Sequence, residues 1–173
     1  MLYSEKISEA FIFLSGKTDQ KPKRAIILGS GLGSLAESVE DPIVVPYRDI
    51  PYWPRSTAPG HAGKLVFGNL EGVPTVIMQG RVHYYEGYSM EEVVFPVRVL
   101  GMLGIKSLIV TNASGGINTD IPPGGIVAVQ DHINFMGTNP LIGENDDDIG
   151  PRFPDMTEAY DREYIQKLEV AAE

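Results

Sequence analysis

Thr111-Asn112-Ala113-Ser114-Gly115-Gly116-Ile117-Asn118 follows the apolar run Ser107-Leu108-Ile109-Val110, and an earlier stretch repeats the design: Ile26-Ile27-Leu28 leads into Gly29-Ser30-Gly31-Leu32-Gly33. In both, a buried-strand pattern gives way to a turn of Gly, Ser and exposed backbone amides. Glycine removes the Cβ that would hold an anion away from the main chain, and successive N–H groups can then point at it. One such turn suggests a phosphate site or only a turn; two suggest a shared site. Between them lie Gly60-His61-Ala62-Gly63 and Gly80-Arg81-Val82-His83-Tyr84-Tyr85-Glu86-Gly87-Tyr88, which supply cationic and hydrogen-bonding side chains.

Working outward, Ile7, Phe11 and Leu14 recur at helical spacing and predict a helix over residues 4–15. A strand over 24–28, the Gly29 turn and a short helix through Ser38 form a strand-turn-helix opening. Pro46 to Pro59 contains four prolines and no period, so it is expected to be a long surface loop, exposing Tyr47, Tyr52 and Trp53 as a stiffened lid near His61. Residues 63–68 and 73–78 read as antiparallel strands joined through Asn69-Leu70-Glu71-Gly72. Ser89 and Glu92 make a capping box for a helix over 89–103, which Pro96 should bend. Strands are expected at 107–110 and 126–130, an irregular stretch at 137–154, and a helix over 160–173 with no stop signal at its end, as if cut inside a helix. A hairpin among βα units implies an α/β fold, a mixed β-sheet flanked by helices.

Composition bounds the function. A chain of 173 residues, 43% hydrophobic, has the size of one domain, so 1–173 is expected to be a single domain. A net charge of −9 argues against a general nucleic-acid or membrane-surface binder, because those polyanions require a dense basic face. There is no cysteine, so neither a disulfide nor a thiolate metal site can form. The amino terminus is too short in apolar content and too acidic for a secretory signal, and no run approaches a membrane span. These features predict a soluble, cytoplasmic protein.

The first Gly-rich turn fails as a dinucleotide fingerprint, since the third Gly arrives one residue early and Ser34 takes its place. A structural turn is the alternative. Arg81 and His83 are two residues apart, so in extended backbone both side chains leave on one face. Arg offers a planar fork for phosphate and His a switchable donor, against the plainer possibility of a surface Arg beside a packed His. Glu86 and Tyr85 follow at once, a polar-aromatic cluster that packing alone explains poorly. His61, His83 and His132 lack the short-range spacing of metal ligands, so no metal is expected. Asp131 could orient another site residue, whereas His132 reads as structural.

Taken in order, Ile27 to Gly33, Gly60-His61, Gly80 to Gly87, Pro96 to Leu100, Thr111 to Asn118, Asp131-His132-Ile133-Asn134 and Arg152-Phe153-Pro154-Asp155-Met156 resemble the trimeric purine nucleoside phosphorylase family. The resemblance spans nearly the whole chain. It implies a nucleoside phosphorylase-like fold, a homotrimer, and reversible phosphorolysis of a purine (deoxy)ribonucleoside to free base and (deoxy)ribose 1-phosphate. It also implies no cofactor, with orthophosphate as co-substrate. On it, Ser30, His61, Arg81, His83 and the Ala113 amide surround phosphate; His83 and Glu86 serve catalysis; Tyr85, Asn112 and Phe153 bind substrate, Phe153 in a neighbouring subunit's site; Glu86 and Asp131 support the phosphate cluster. The family continues beyond the helix at which this chain ends, and its purine-holding Glu and Asn, a phosphate-site Ser and a ribose-side Met are expected from that further part. The 173-residue chain is therefore expected to be the amino-terminal portion and to show little or no turnover. A methylthioadenosine phosphorylase and a non-catalytic phosphate- or nucleotide-binding protein are the alternatives; Ser30 and the His83-Tyr84-Tyr85-Glu86-Gly87 string lean toward the nucleoside enzyme.

Overall fold

Ile7, Ala10 and Leu14 lie on one stripe of the helix α1, Tyr3–Ser15, and that stripe is buried. The computed structural model describes residues 1–56 and 62–172, in two compact units, Met1–Ser114 and Gly115–Glu173. The first unit is built on a five-stranded sheet: β1 (Arg24–Leu28), β2 (Glu40–Pro46), β3 (Lys64–Leu70), β4 (Val73–Gln79) and β5 (Ser107–Val110), in the order β2-β3-β4-β1-β5. β1 is parallel to β4 and to β5, whereas β2, β3 and β4 pair antiparallel, so the sheet is mixed.

Alternating residues feed two cores. Ala25, Ile27, Leu65, Phe67, Val76 and Met78 join α1 and the helix α2 (Met90–Met102) on one face. Ile26, Leu28, Val66 and Ile77 meet Ala36 and Val39 on the other, beneath the 3₁₀ turn Gly33–Ser38. Each large side chain buried this way contributes about 1.5–3 kcal/mol. The hairpin between β3 and β4 turns on Glu71 and Gly72, both at positive φ (51° and 70°), the pair of left-handed residues that matches strand twist in a two-residue loop. α2 starts at the expected capping box: Ser89 Oγ accepts the Glu92 amide and the Glu92 carboxylate accepts the Ser89 amide at 2.8 Å. Pro96 stays inside α2 because its face, with Phe95, Val99 and Leu100, is buried, and that packing offsets the lost backbone bond.

Three expectations change. β2 was not among the expected strands; Pro42 and Pro46 hide it, and proline is tolerated because β2 is an edge strand with an irregular register between Glu40 and Ile43. The start of the proline-rich loop is not an exposed lid: Tyr47 and Trp53 are 2% and 5% exposed, and Tyr52 alone of the three aromatics is exposed. Tyr47, Ile50 and Trp53 fall three residues apart around the turn Tyr47–Asp49, so all three enter the core, where the Trp53 ring meets Tyr47 at 5.4 Å and the edge of Phe95 at 6.2 Å. The strand expected at 126–130 does not form; Ile126 is fully exposed, and no described segment pairs with it. A strand needs a ladder partner, and apolar composition alone cannot supply one.

The second unit contains α3 (Arg162–Ala172), held by pairs such as Lys167 Nζ to Glu163 at 2.6 Å, and otherwise turns capped by Asn and Asp side chains. No described helix is long and apolar enough to cross a membrane.

Candidate phosphate-binding site

Three parallel neighbours, β4, β1 and β5, end on the same edge of the sheet, and each passes directly into a segment singled out above: Gly80-Arg81, Gly29-Ser30 and Thr111-Asn112. Crevices outside the carboxyl ends of parallel strands are where open α/β sheets bind ligands.

The junction is held by Thr111. Its amide donates to the Ile27 carbonyl at 3.0 Å, continuing the β1–β5 ladder by one residue. Its hydroxyl donates to the same carbonyl at 3.1 Å and accepts the Gly29 amide at 2.9 Å. Its own carbonyl accepts Arg81 Nη1 at 2.7 Å. The chains approach so closely that a Cβ on Gly29 would lie 2.6 Å from the Thr111 carbonyl oxygen, so glycine is required there. The far end of the first turn is tied by Gln79, whose Nε2 donates to the Gly33 carbonyl at 2.8 Å. Ser30, at the apex, is exposed.

Arg81 is half-buried, and that burial lowers its pKa from the ordinary arginine value, partly opposed by the neighbouring Tyr85. A guanidinium nonetheless stays charged. Its backbone is fixed in turn: Ser56 Oγ donates to the Arg81 carbonyl at 3.1 Å, and the buried Tyr47 hydroxyl donates to the preceding Gly80 carbonyl at 2.7 Å. Val82 is buried while Arg81 and His83 are half-buried, the alternation expected of extended backbone. His83 is oriented by Glu86, one of whose oxygens accepts both the His83 amide at 2.8 Å and Nδ1 at 2.7 Å. The Glu86 side chain is only 5% exposed. With Nδ1 donating to that carboxylate, Nε2 is the atom that the ring presents elsewhere. The imidazole stacks on Tyr85 at 4.7 Å between centroids.

The first unit thus holds Ser30, Arg81, His83, Tyr85, Glu86, Asn112 and Ala113 at or just beyond the strand ends, with the Gly29 turn and Arg81 joined through Thr111, and His83 in contact with Tyr85 and Glu86. His61 lies outside the described residues. Asp131 and Phe153 belong to the second unit: Asp131 accepts the His132 amide at 2.8 Å, and Phe153, 87% exposed, lies beside the Arg152 guanidinium. His132 Nδ1 is 3.1 Å from the Tyr160 hydroxyl. Thr111, Gln79 and Tyr47 are the supporting residues that sequence reasoning missed. A hydroxyl-bearing residue placed directly after an apolar strand was the available signal for Thr111.

The family described as Phosphorylase superfamily matches residues 23–173 of the chain. The chain belongs to this superfamily. Among its relatives, purine nucleoside phosphorylase 1 of Bacillus subtilis (strain 168) is 54% identical over 168 residues, covering 97% of this chain and 62% of the relative. Purine nucleoside phosphorylase of Mus musculus is 51% identical over 157 residues, covering 89% and 54% respectively. Among solved structures, isoform 2 of purine nucleoside phosphorylase from Schistosoma mansoni, in complex with cytosine and ribose-1-phosphate, superposes with a TM-score of 0.87 at 46% identity, covering 95% of this chain and 58% of that one. The mixed sheet flanked by helices is therefore the fold of these phosphorylases. The chain spans about three-fifths of the length of such relatives.

Proposed function

We propose that this chain carries the phosphate-binding half of a purine nucleoside phosphorylase, which converts a purine (deoxy)ribonucleoside and orthophosphate reversibly into free base and (deoxy)ribose 1-phosphate. The observation that carries this reading is the convergence of the Gly29 turn, Arg81 and the Thr111–Ala113 segment at one sheet edge, tied through a single residue. Identities of 54% and 51% to proteins bearing that name support it.

Cleavage of the N-glycosidic bond develops oxocarbenium-like positive charge on the sugar. A phosphate oxygen beneath C1′ both stabilises that charge and forms the new C1′–O bond, while the electron pair of the breaking C1′–N bond leaves with the purine. Arg81, His83, Ser30 and the backbone amides from Ala113 onward are suited to hold the phosphate, so their contribution is positional and electrostatic. Such a mechanism needs no carboxylate nucleophile. Tyr85, exposed and stacked on His83, would meet the ribose, as would Asn112 in the second turn. Asp131 would support the site and Phe153 would enter that of a neighbouring subunit in a homotrimer acting in the cytoplasm.

Inosine cleavage with and without phosphate tests the reading in the protein extended to its relatives' length. Release of hypoxanthine that requires phosphate is the expected result. Arg81→Ala should weaken phosphate use by about 1.5–3 kcal/mol, the scale of a hydrogen bond to a charged group. Unchanged phosphate dependence in that variant rejects the assignment, and selective cleavage of methylthioadenosine redirects it to that substrate.

A further inference from the structure

We infer that Thr111 is the positioning residue of the anion site, a strut that sets the Gly29 turn and the Arg81 guanidinium against one another. The inference rests on the phosphate reading given above and adds to it a residue that need not touch the ligand. Thr111 makes contacts in three directions. Its amide and hydroxyl both reach the Ile27 carbonyl, its hydroxyl takes the Gly29 amide, and its carbonyl takes Arg81 Nη1. The hydroxyl is therefore used once as donor, at 3.1 Å, and once as acceptor, at 2.9 Å. Few side chains can do both from a strand end. Alanine or valine offers neither, and serine offers both with a freer rotor.

The consequence is geometric. Gly29 precedes Ser30 at the turn apex, and Asn112-Ala113 follow Thr111, so the anion-facing parts of both turns are one or two residues from the same hydroxyl. Arg81 is anchored on the same residue from the third segment. A displacement of about 1 Å at this junction would move two amide-bearing turns and a cation out of common register, and positional sites are sensitive to shifts of about that size. The Cβ-free approach at Gly29, where an added atom would lie 2.6 Å from the Thr111 carbonyl oxygen, shows how little play the junction has. The Gln79 bond at Gly33 restrains the other end of the turn.

The test compares the 173-residue chain with its Thr111→Val and Thr111→Ser variants, titrating inorganic phosphate by calorimetry and following backbone amides by NMR. Valine keeps the β-branched shape and the Arg81-accepting carbonyl but removes the hydroxyl. Phosphate affinity is expected to fall about ten-fold or more in Thr111→Val, as a positional site does when its groups shift by about 1 Å, and to stay within about three-fold in Thr111→Ser. A purely structural role would move the unfolding midpoint of both variants without separating their phosphate affinities. If the parent chain binds phosphate and Thr111→Val binds it equally well, the strut is rejected while the phosphate site stands. If neither the parent chain nor the protein at its relatives' length binds phosphate at millimolar concentration, the phosphate reading fails and the inference falls with it. Should Thr111→Val fail to fold, amide exchange in the parent chain decides: a Gly29 amide that exchanges as fast as that of exposed Ser30 overturns the proposal.

Discussion

At the scale of single residues, the site is a set of polar groups held by partners that leave them little freedom. Glu86 illustrates this: one nearly buried oxygen accepts both the amide and Nδ1 of His83. Glu86→Ala should leave both donors without that acceptor, costing about 1.5–3 kcal/mol in a urea titration and releasing the imidazole from its orientation. Tyr47 makes a second case. Burial pushes its phenol far above the ordinary tyrosine value while its hydroxyl donates to the Gly80 carbonyl at 2.7 Å. A folded-state pKa raised above the unfolded one means that the neutral phenol's contribution is complete below about pH 10 and is lost as the pH rises beyond it. Tyr47→Phe is thus expected to cost about 0.5–1.5 kcal/mol at neutral pH and to flatten the fall of stability in alkali, both measurable by denaturant melts between pH 7 and 11. An unaltered alkaline slope would show that some other group governs it.

At the scale of elements, the edge of the sheet and the start of α2 are where small changes should be felt most. Gly68 lies under β2, where an added Cβ would meet Val39 Cγ1 at 2.3 Å and the Glu40 carbonyl oxygen at 2.5 Å. Gly68→Ala must push β2 away from β3 at its irregular end, with an expected loss of about 1–3 kcal/mol, whereas Gly101→Ala, which meets nothing nearby, should leave the thermal midpoint unchanged or slightly higher. Equal midpoints for the two variants would reject this account of the edge. Ser89→Ala removes the cap of α2 and should cost about 0.5–2 kcal/mol. The segment from Tyr47 to Trp53 is an anchored turn, its Tyr47 and Trp53 rings held in the core.

At the scale of the whole molecule, β5 pairs among the described residues only with β1, and Leu108, Ile109 and Val110 are all partly or largely exposed, although a parallel sheet ordinarily has both faces covered. In the second unit Ile117, Ile126, Ile133, Phe135 and Phe153 stand almost fully in solvent. Apolar exposure on that scale marks surfaces that ordinarily meet other polypeptide. The 173-residue chain is accordingly expected to bind a hydrophobic dye and to show little inosine phosphorolysis even with phosphate bound. Robust turnover by this chain would refute the view that the purine is held by residues outside it. For the protein at its relatives' length, sedimentation at the mass of a trimer is expected, with Phe153→Ala raising the KM for nucleoside more than it lowers stability. A monomer with full turnover would reject the shared site.

Much was legible in the sequence because it depended on local periodicity. Helical spacing located α1 and α3, a capping box located α2, apolar runs with the Asn69-Leu70-Glu71-Gly72 turn located the β3–β4 hairpin, and the Gly-rich turns after apolar runs located the strand ends at which the candidate site lies. Chemistry-bearing residue types in order, Arg81, His83 and Glu86, pointed to the family for the same reason: a side chain's donors and charge are fixed by its identity. What depended on a partner distant in the chain was not legible. β2 exists because β3 accepts it despite two prolines, residues 126–130 remain without a ladder because nothing described pairs with them, and Tyr47 and Trp53 are buried because a short turn rolls them into the core, with Trp53 in contact with both Tyr47 and Phe95. Thr111 belongs to this second class. Its identity made a hydroxyl available at a strand end, but only the parallel register of β1 against β5, and the arrival of Arg81 from β4, made that hydroxyl and the adjoining carbonyl the junction of the site.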